Sequence, residues 1–407
     1  MTWQANRLKF LAAEPIRNGL GEAGAQDDSS WPRYIRTTDI AGPRTLREDV
    51  FASLPPEVAQ RAMLRRGDIV MTAAGATIGK TLLYDSDKPA CYAGYLARFR
   101  PRVDVDGRFV AYWMESQDYW DQIAAGKVVS TIENFSASKY QNLRLRVPPL
   151  LAQRAIADYL DAETARIDAL IEKKRQMVKL TEARFWIAFT DSVLRAEARM
   201  TPLRRAISFI TDGPFGSAFA SADYSDDGAA VVRLGNIGFA EYRPGDQAFI
   251  PLDLYQSFLR HQVRAGDLLI AGLGDSVNHA GRACVAPDLG PAMVKGKCFC
   301  ARMWPGIAVP EYLALLLSSP FGAESIGLSG RGSTRTMINL DVVRSTVVPL
   351  PTVERQVEIV LEAQRQRRRT GVLVTALRNQ IDLLAERRQA LITAAVTGEL
   401  AIPGVAA

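Results

Sequence analysis

The chain has 407 residues, more than one ordinary compact core holds, so two or more domains are expected. With 48% hydrophobic and 23% charged residues it has the balance of a folded globular protein, which excludes a disordered chain. Its net charge of +6 is modest and spread along the sequence, permitting a nucleic-acid partner without demanding one.

The N-terminus, Met1-Thr2-Trp3-Gln4-Ala5-Asn6-Arg7, lacks the apolar core of a signal peptide, and the strongest apolar run, Tyr312 to Leu317, is far short of a membrane span. The four cysteines, Cys91, Cys284, Cys298 and Cys300, have no CxxC spacing. Cys298 and Cys300 alternate with Phe299 and read as one packed face of a strand. A reducing cytoplasm is the expected compartment.

In chain order, the first half offers Ile35-Arg36-Thr37-Thr38-Asp39-Ile40, then Arg66-Gly67-Asp68-Ile69-Val70, then Ala97-Arg98-Phe99-Arg100-Pro101. A polar loop, Gly126-Lys127-Val128-Val129-Ser130-Thr131, and a stop, Val147-Pro148-Pro149-Leu150, complete it. About 200 residues on, the same marks return in the same order. They are Val232-Arg233-Leu234-Gly235-Asn236-Ile237, Ala265-Gly266-Asp267-Leu268-Leu269 and Ala301-Arg302-Met303-Trp304-Pro305, then Gly330-Arg331-Gly332-Ser333-Thr334-Arg335 and Val348-Pro349-Leu350-Pro351. Each half alternates short β-prone runs with Gly, Pro and Asp turns, a mixed α/β pattern.

After each proline stop the texture changes. Residues 150–200 contain neither Gly nor Pro, and in 352–397 the one exception is Gly371, where a break or kink is expected. Each stretch predicts a long helix of about 70 Å. On the second, Val374, Leu377, Ile381, Leu384, Arg388 and Leu391 recur at three-and-four spacing; on the first, 204 residues earlier, stand Leu170, Lys173, Met177, Leu180, Arg184 and Ile187. The apolar members, Leu170, Met177, Leu180 and Ile187 with Leu377, Ile381, Leu384 and Leu391, are the expected seam of an antiparallel helix pair. The alternative, each helix packed on its own domain, would leave most of a 70 Å stripe bare. Arg184 and Arg388, at matching heights, are expected to form ion pairs or to extend their heads to solvent.

A catalytic constellation is missing from this pattern. The two histidines, His261 and His279, fall in the second half alone, and no His/Cys cluster has zinc spacing. Gly75-Ala76-Thr77-Ile78-Gly79-Lys80-Thr81 imitates a phosphate loop but has three residues between its glycines where four are needed. Neither a dinucleotide fingerprint nor the Asn/Asp-Pro-Pro-aromatic tetrapeptide of an adenine methyltransferase is present.

Two recognition-like halves, each closed by a proline stop and a long helix, resemble the specificity subunits of type I restriction-modification systems over essentially the whole chain. The residues carrying the resemblance are Gly67-Asp68-Ile69-Val70 with Gly75 and Ile78-Gly79, and Gly266-Asp267-Leu268-Leu269 with Gly274. Pro149 with Gln153-Arg154-Ala155-Ile156-Ala157, and Pro351 with Glu354-Arg355-Gln356, add to it. The ending Leu384-Ala385-Glu386-Arg387-Arg388-Gln389-Ala390-Leu391-Ile392 with Val396-Thr397-Gly398-Glu399-Leu400 is the strongest match. The first helix departs from the pattern at Leu151-Ala152-Gln153 and lacks the Val-Thr-Gly ending.

The resemblance implies an α+β chain: target-recognition domains at 1–148 and 201–348, helices at 149–200 and 349–400 paired as an antiparallel coiled coil, and a tail at 401–407. It implies a non-catalytic subunit that reads a split, asymmetric site on double-stranded DNA. Two methyltransferase subunits would dock on the helices, with room for restriction subunits. S-adenosylmethionine, ATP and Mg would belong to those partners. The DNA-facing candidates are Lys127, Ser130 and Thr131 in the first half and Arg331, Ser333, Thr334 and Arg335 in the second. Arg65, Arg66, Lys80, Arg264 and Arg282 are second-rank phosphate contacts. A helical adaptor that reads no DNA, and the specificity module of a methyltransferase system without a nuclease, remain the alternative readings.

Overall fold

The computed structural model describes residues 3–22, 26–126, 134–214, 223–245, 247–327, 337–403 and 405. The fold is α+β, and the chain divides into two compact units: Met1–Arg175 with Arg378–Ala407, and Gln176–Leu377.

In the first unit a four-stranded antiparallel sheet runs in the order Arg17–Asn18, Leu96–Phe99, Ile69–Thr72, Thr81–Leu83. Side chains alternate across a strand, and here both faces are covered. Ile69 and Met71 point into a core with Phe109, Trp113, Tyr119 and Tyr140, which the helices Gly107–Trp113, Gln117–Gly126 and Ala137–Asn142 supply. Val70 points the other way, among Tyr34, Ile35, Leu54 and Tyr92, where Arg33–Ile35 pairs in parallel with Ala90–Tyr92. A ribbon of Gln4–Arg7 against Arg144–Val147 leads into the first long helix, Leu150–Leu194.

The second unit repeats this plan. Its sheet order is Ile207–Asp212, Cys298–Met303, Leu268–Ala271, Ala283–Val285, with a parallel pair Ala229–Val232 and Ala292–Val294 and a ribbon Arg199–Pro202 against Val347–Leu350. Leu268 and Ile270 face one core, Leu269 and Ala271 the other. The helices Pro310–Ser318, Pro320–Gly327 and Leu340–Ser345 precede the second long helix, Val353–Thr397.

Each long helix has 45 residues, and their first residues, Leu150 and Val353, stand 203 positions apart, one fewer than the seam alignment assumed. That residue matters, because it turns a helical position by about 100°. The stripe turned inward on the first helix runs Leu160, Thr164, Ile167, Ile171, Lys174, Val178, Thr181 and Phe185, at strict three-and-four spacing. The expected seam residues Leu170, Met177, Leu180 and Ile187 lie one face over and are exposed, Leu180 by 70% and Ile187 by 68%. Counting apolar residues selected the wrong face because the middle of the inward stripe is occupied by Lys174 and Thr181. On the second helix Leu377 is buried and Ile381, Leu384 and Leu391 are half-buried, so those four positions do turn inward. Gly371 neither breaks nor interrupts the helix; it is exposed, with open space around it.

Inside the first unit, Ile156 and Leu160 share a core with Ile392, Ala395 and Val396. There Arg388 Nε pairs with Asp168 at 3.0 Å, and Lys174 Nζ donates to Gln380 Oε1 at 2.6 Å. Inside the second unit, Phe185 and Phe189 share a core with Ile359, Val360 and Ala363. In the first unit the two pairs show residue numbers rising along one helix as they fall along the other.

Candidate nucleic-acid interface

The Gly-Asp motif is a turn and a clamp in each unit. Gly67 sits at φ +90° and Gly266 at +86°, where a side chain is costly. The next residue, Asp68, is buried and accepts from Arg65 N–H at 2.8 Å and from Arg100 Nε and Nη2 at 2.8 and 2.7 Å. Arg100 also pairs with Glu14 at 2.6 Å, and that hydrogen bond holds the Glu14 carboxyl below its ordinary value. In the second unit Asp267 accepts from Arg264 N–H at 2.8 Å and from Arg302 Nε at 2.9 Å. Arg302 therefore answers to Arg100, two places from the Arg98 that the sequence alignment matched to it.

These contacts sort the second-rank cations. Arg65 and Arg264 stand exposed at equivalent turns, each giving its backbone N–H to the turn aspartate. Arg66 is exposed but paired, with Asp85 at 2.6 Å and Asp87 at 3.6 Å. Lys80 and Arg282 are already engaged, Arg282 fully and Lys80 in part. Both follow a left-handed glycine, Gly79 or Gly281, and both reach back to the carbonyl after the Arg36–Asp39 or Arg233–Asn236 turn. Lys80 Nζ donates to Ile40 O at 2.5 Å, and Arg282 Nε to Ile237 O at 2.8 Å. Arg282 is buried, gives further bonds to Leu234, Leu273 and His279 carbonyls, and burial holds its guanidinium below the ordinary value. A guanidinium so enclosed braces loops and cannot reach a phosphate. The residues that imitated a phosphate loop are thus half of a bracing device.

Lys127, Ser130 and Thr131, and Arg331, Ser333, Thr334 and Arg335, lie outside the described residues. Their flanks are fixed, and fixed alike. In the first unit Lys139 Nζ donates to Gly126 O at 2.7 Å, Ala74 bridges Asn134, and Phe135 N–H donates to Ala73 O at 2.8 Å. A Cβ on Gly126 would meet the Phe135 ring at 2.6 Å, so that packing needs glycine. In the second unit Leu273 bridges Met337, and Ile338 N–H donates to Gly272 O at 3.0 Å. The residues that follow both candidate stretches are therefore bound at the end of the central strand, beside the loops that open at Gly75 and Gly274. At the same edge stand Tyr95 and Lys297, which sequence reading missed; only an alignment placing Arg302 on Arg100 would have found them.

Among the described residues no group of three or more His, Cys, Asp or Glu is placed to hold a metal ion. All four thiols are buried, and burial pushes those of Cys91, Cys284 and Cys298 up to about 12, so they pack and do not react. His279 bonds the carbonyl of Ala280 at 2.9 Å and stacks edge-on with Phe239, a satisfied loop histidine. No described helix is long and apolar enough to cross a membrane.

A family model described as the type I restriction modification DNA specificity domain matches residues 58–180. The EcoKI specificity subunit of a type I restriction enzyme from Escherichia coli K12 is 23% identical over 372 residues, covering 82% of this chain and 75% of its own. The EcoBI specificity subunit from Escherichia coli is 23% identical over 312 residues, covering 69% and 64%. A solved chain from work on complex assembly and conformational transition of the type I R-M system superposes with a TM-score of 0.73, at 17% identity, over 98% of both chains. That likeness is one of fold.

Proposed function

We propose that this chain is a specificity subunit of the type I restriction-modification family, which reads DNA sequence for partner subunits and performs no chemistry itself. The observation that carries this reading is one frame built twice. The same sheet order, Gly-Asp clamp and loop anchors recur in both units, while exposed side chains at other equivalent positions differ, as Arg66 and Ala265 do. A repeated frame with unlike exposed residues suits a split site with two unlike half-sites.

In this reading residues 1–148 and 201–348 are the target-recognition domains. The two long helices pair as an antiparallel coiled coil, supported by the opposed numbering of their contacts, and fix the gap between half-sites. Two methyltransferase subunits dock on the helices, bring S-adenosylmethionine and methylate a flipped adenine. Restriction subunits, where present, bring ATP and Mg. The complex works in the cytoplasm.

The test is to co-express the chain with its methyltransferase subunits in a host that methylates no adenines and map the methylated adenines. A bipartite, asymmetric motif with a fixed gap is expected, and replacing residues 201–348 by a relative's domain changes one half alone. A palindromic or unbroken motif, or both halves changing together, overturns the reading. Methyl transfer by the chain alone overturns its non-catalytic part.

A further inference from the structure

Positions 95 and 297 are the same point of the repeated frame. In the first unit Leu96 N–H donates to Ala93 O at 2.9 Å to close a turn, Ala73 N–H donates to Tyr95 O at 2.8 Å, and Phe135 N–H donates to Ala73 O at 2.8 Å. In the second, Cys298 N–H donates to Lys295 O at 3.0 Å, Gly272 N–H to Lys297 O at 2.7 Å, and Ile338 N–H to Gly272 O at 3.0 Å. The three bonds match one for one, and they tie each turn tip to the residue where the chain returns from a candidate loop. The side chains they present are unlike, one phenol and one ammonium.

Both turns are braced before any ligand arrives. Asn18 Nδ2 donates to Gly94 O at 2.7 Å; Gly296 N–H donates to Pro214 O at 3.1 Å, and Lys295 Nζ to Tyr224 Oη at 2.6 Å. Tyr95 is 68% exposed although Ala93, Leu96 and Ala97 around it are buried. The Lys297 ammonium lies 2.8 Å from Met337 Sδ, on the first described residue after 328–336, so its charge is held where that stretch ends.

A second observation concerns the backbone. Lys297 has φ +70° at the third position of its turn, a place that glycine or asparagine fills without strain. Strain of this kind persists where the side chain is used. A glycine would relax the turn and lose the ammonium.

We propose that Tyr95 and Lys297 are specificity-determining residues, one for each half-site, contacting base edges at the rim of the recognition loops. The Tyr95 hydroxyl both donates and accepts, and its ring can pack on a thymine methyl. Lys297 suits the paired acceptors N7 and O6 of guanine. This inference rests on the DNA-reading function proposed above.

The experiment uses the complex with methyltransferase subunits, selecting sites from random-sequence duplex pools and measuring thermal stability in parallel. Lys297→Gly is expected to keep or raise the melting temperature while discrimination at one base pair of one half-site falls about 10- to 100-fold. The other half-site is unchanged. Lys297→Asn, which also tolerates the left-handed backbone, is expected to alter preference at that same base pair. Tyr95→Phe relaxes one position of the opposite half-site. Unchanged preference at every position in all three variants overturns the inference. So does a uniform loss across all sequences with a shallower salt dependence, the mark of a phosphate contact. A wild-type complex that selects no bipartite site overturns the parent reading first, and this one with it.

Discussion

Gln153 and Gln356 make the same three hydrogen bonds in two different units. Gln153 Oε1 accepts from Asp106 N–H at 2.8 Å while its Nε2 donates to Pro148 O at 2.8 Å and Asp104 O at 3.4 Å. Gln356 Oε1 accepts from Val309 N–H at 2.8 Å while its Nε2 donates to Pro351 O at 2.9 Å and Ile307 O at 3.0 Å. Both are buried in the first turn of a long helix, and each ties that helix to the loop before a shorter one.

Removing either amide strands the backbone groups that it satisfies. Gln153→Leu and Gln356→Leu are each expected to cost about 2–4 kcal/mol, on the scale of two or three buried hydrogen bonds lost. The two costs should agree within about 1 kcal/mol because the device is the same. Urea denaturation of each variant checks this. A cost below ~0.5 kcal/mol at either site would mean that water satisfies the stranded groups.

The two arginines expected at matching heights behave differently. Arg388 pairs with Glu115 at 2.9 Å and with Asp168 at 3.0 Å, and Glu115 is almost fully buried. Arg184 is exposed, and the residue equivalent to Arg388 on the first helix is the buried Phe185. Arg388→Met is expected to cost about 3 kcal/mol by leaving a buried carboxylate without its partner. Arg184→Ala should stay within ~0.5 kcal/mol. Adding Glu115→Gln to Arg388→Met should recover much of the loss, which a double-mutant cycle measures.

The order of marks, the duplication and both long helices were legible because they rest on proline stops, glycine turns and an absence of helix breakers. On the second helix Leu377, Ile381, Leu384 and Leu391 were legible because those inward positions are apolar. The inward stripe of the first was not, since Lys174 and Thr181 sit inward while Leu180 and Ile187 sit outward. Arg302 was matched to Arg98 because Ala-Arg occurs at both places, whereas the pairing that matters is with a turn aspartate far away in sequence. Lys80 and Arg282 looked like phosphate contacts because a sequence does not show which carbonyl a cation already holds. Tyr95 and Lys297 share no residue type, so their correspondence follows from the Arg100–Arg302 match and the backbone hydrogen bonds, not from the residues themselves.

Asp161 gives a pH signature. Burial pushes its carboxyl up, but the Tyr112 hydroxyl at 2.7 Å, Arg44 at 2.6 Å and Arg108 at 2.8 Å outweigh it, and its value falls below the ordinary 3.8. A lowered value in the folded state stabilises fully above the unfolded value, and that stabilisation is lost as pH falls from 3.8 through the folded value. The group is about one-third exposed, so solvent screening limits the effect to about 1 kcal/mol. Asp161→Asn is expected to lower the melting temperature at neutral pH and to converge with wild type in acid. A gap that persists undiminished below pH ~3 would place the loss in packing rather than charge.

If the helix pair sets the gap between half-sites, its length should appear in the DNA motif. Four residues inserted between Glu172 and Gln176 add roughly 6 Å of helix and turn the rest of that helix by a little more than one revolution. The inward stripe at Ile171, Lys174, Val178 and Thr181 then meets a stutter, which local unwinding of the helix pair absorbs. The unaltered second helix resists part of the extension. A duplex rises about 3.4 Å per base pair, so the gap should lengthen by about one pair and at most about two, with both half-sites unchanged. A two-residue insertion is different in kind. It turns the distal part of the helix by roughly 200°, moves the inward stripe to the opposite face and should abolish methylation. Mapping methylated adenines for both variants decides the matter. An active four-residue variant with the original gap would show that the partner subunits, and not these helices, space the half-sites.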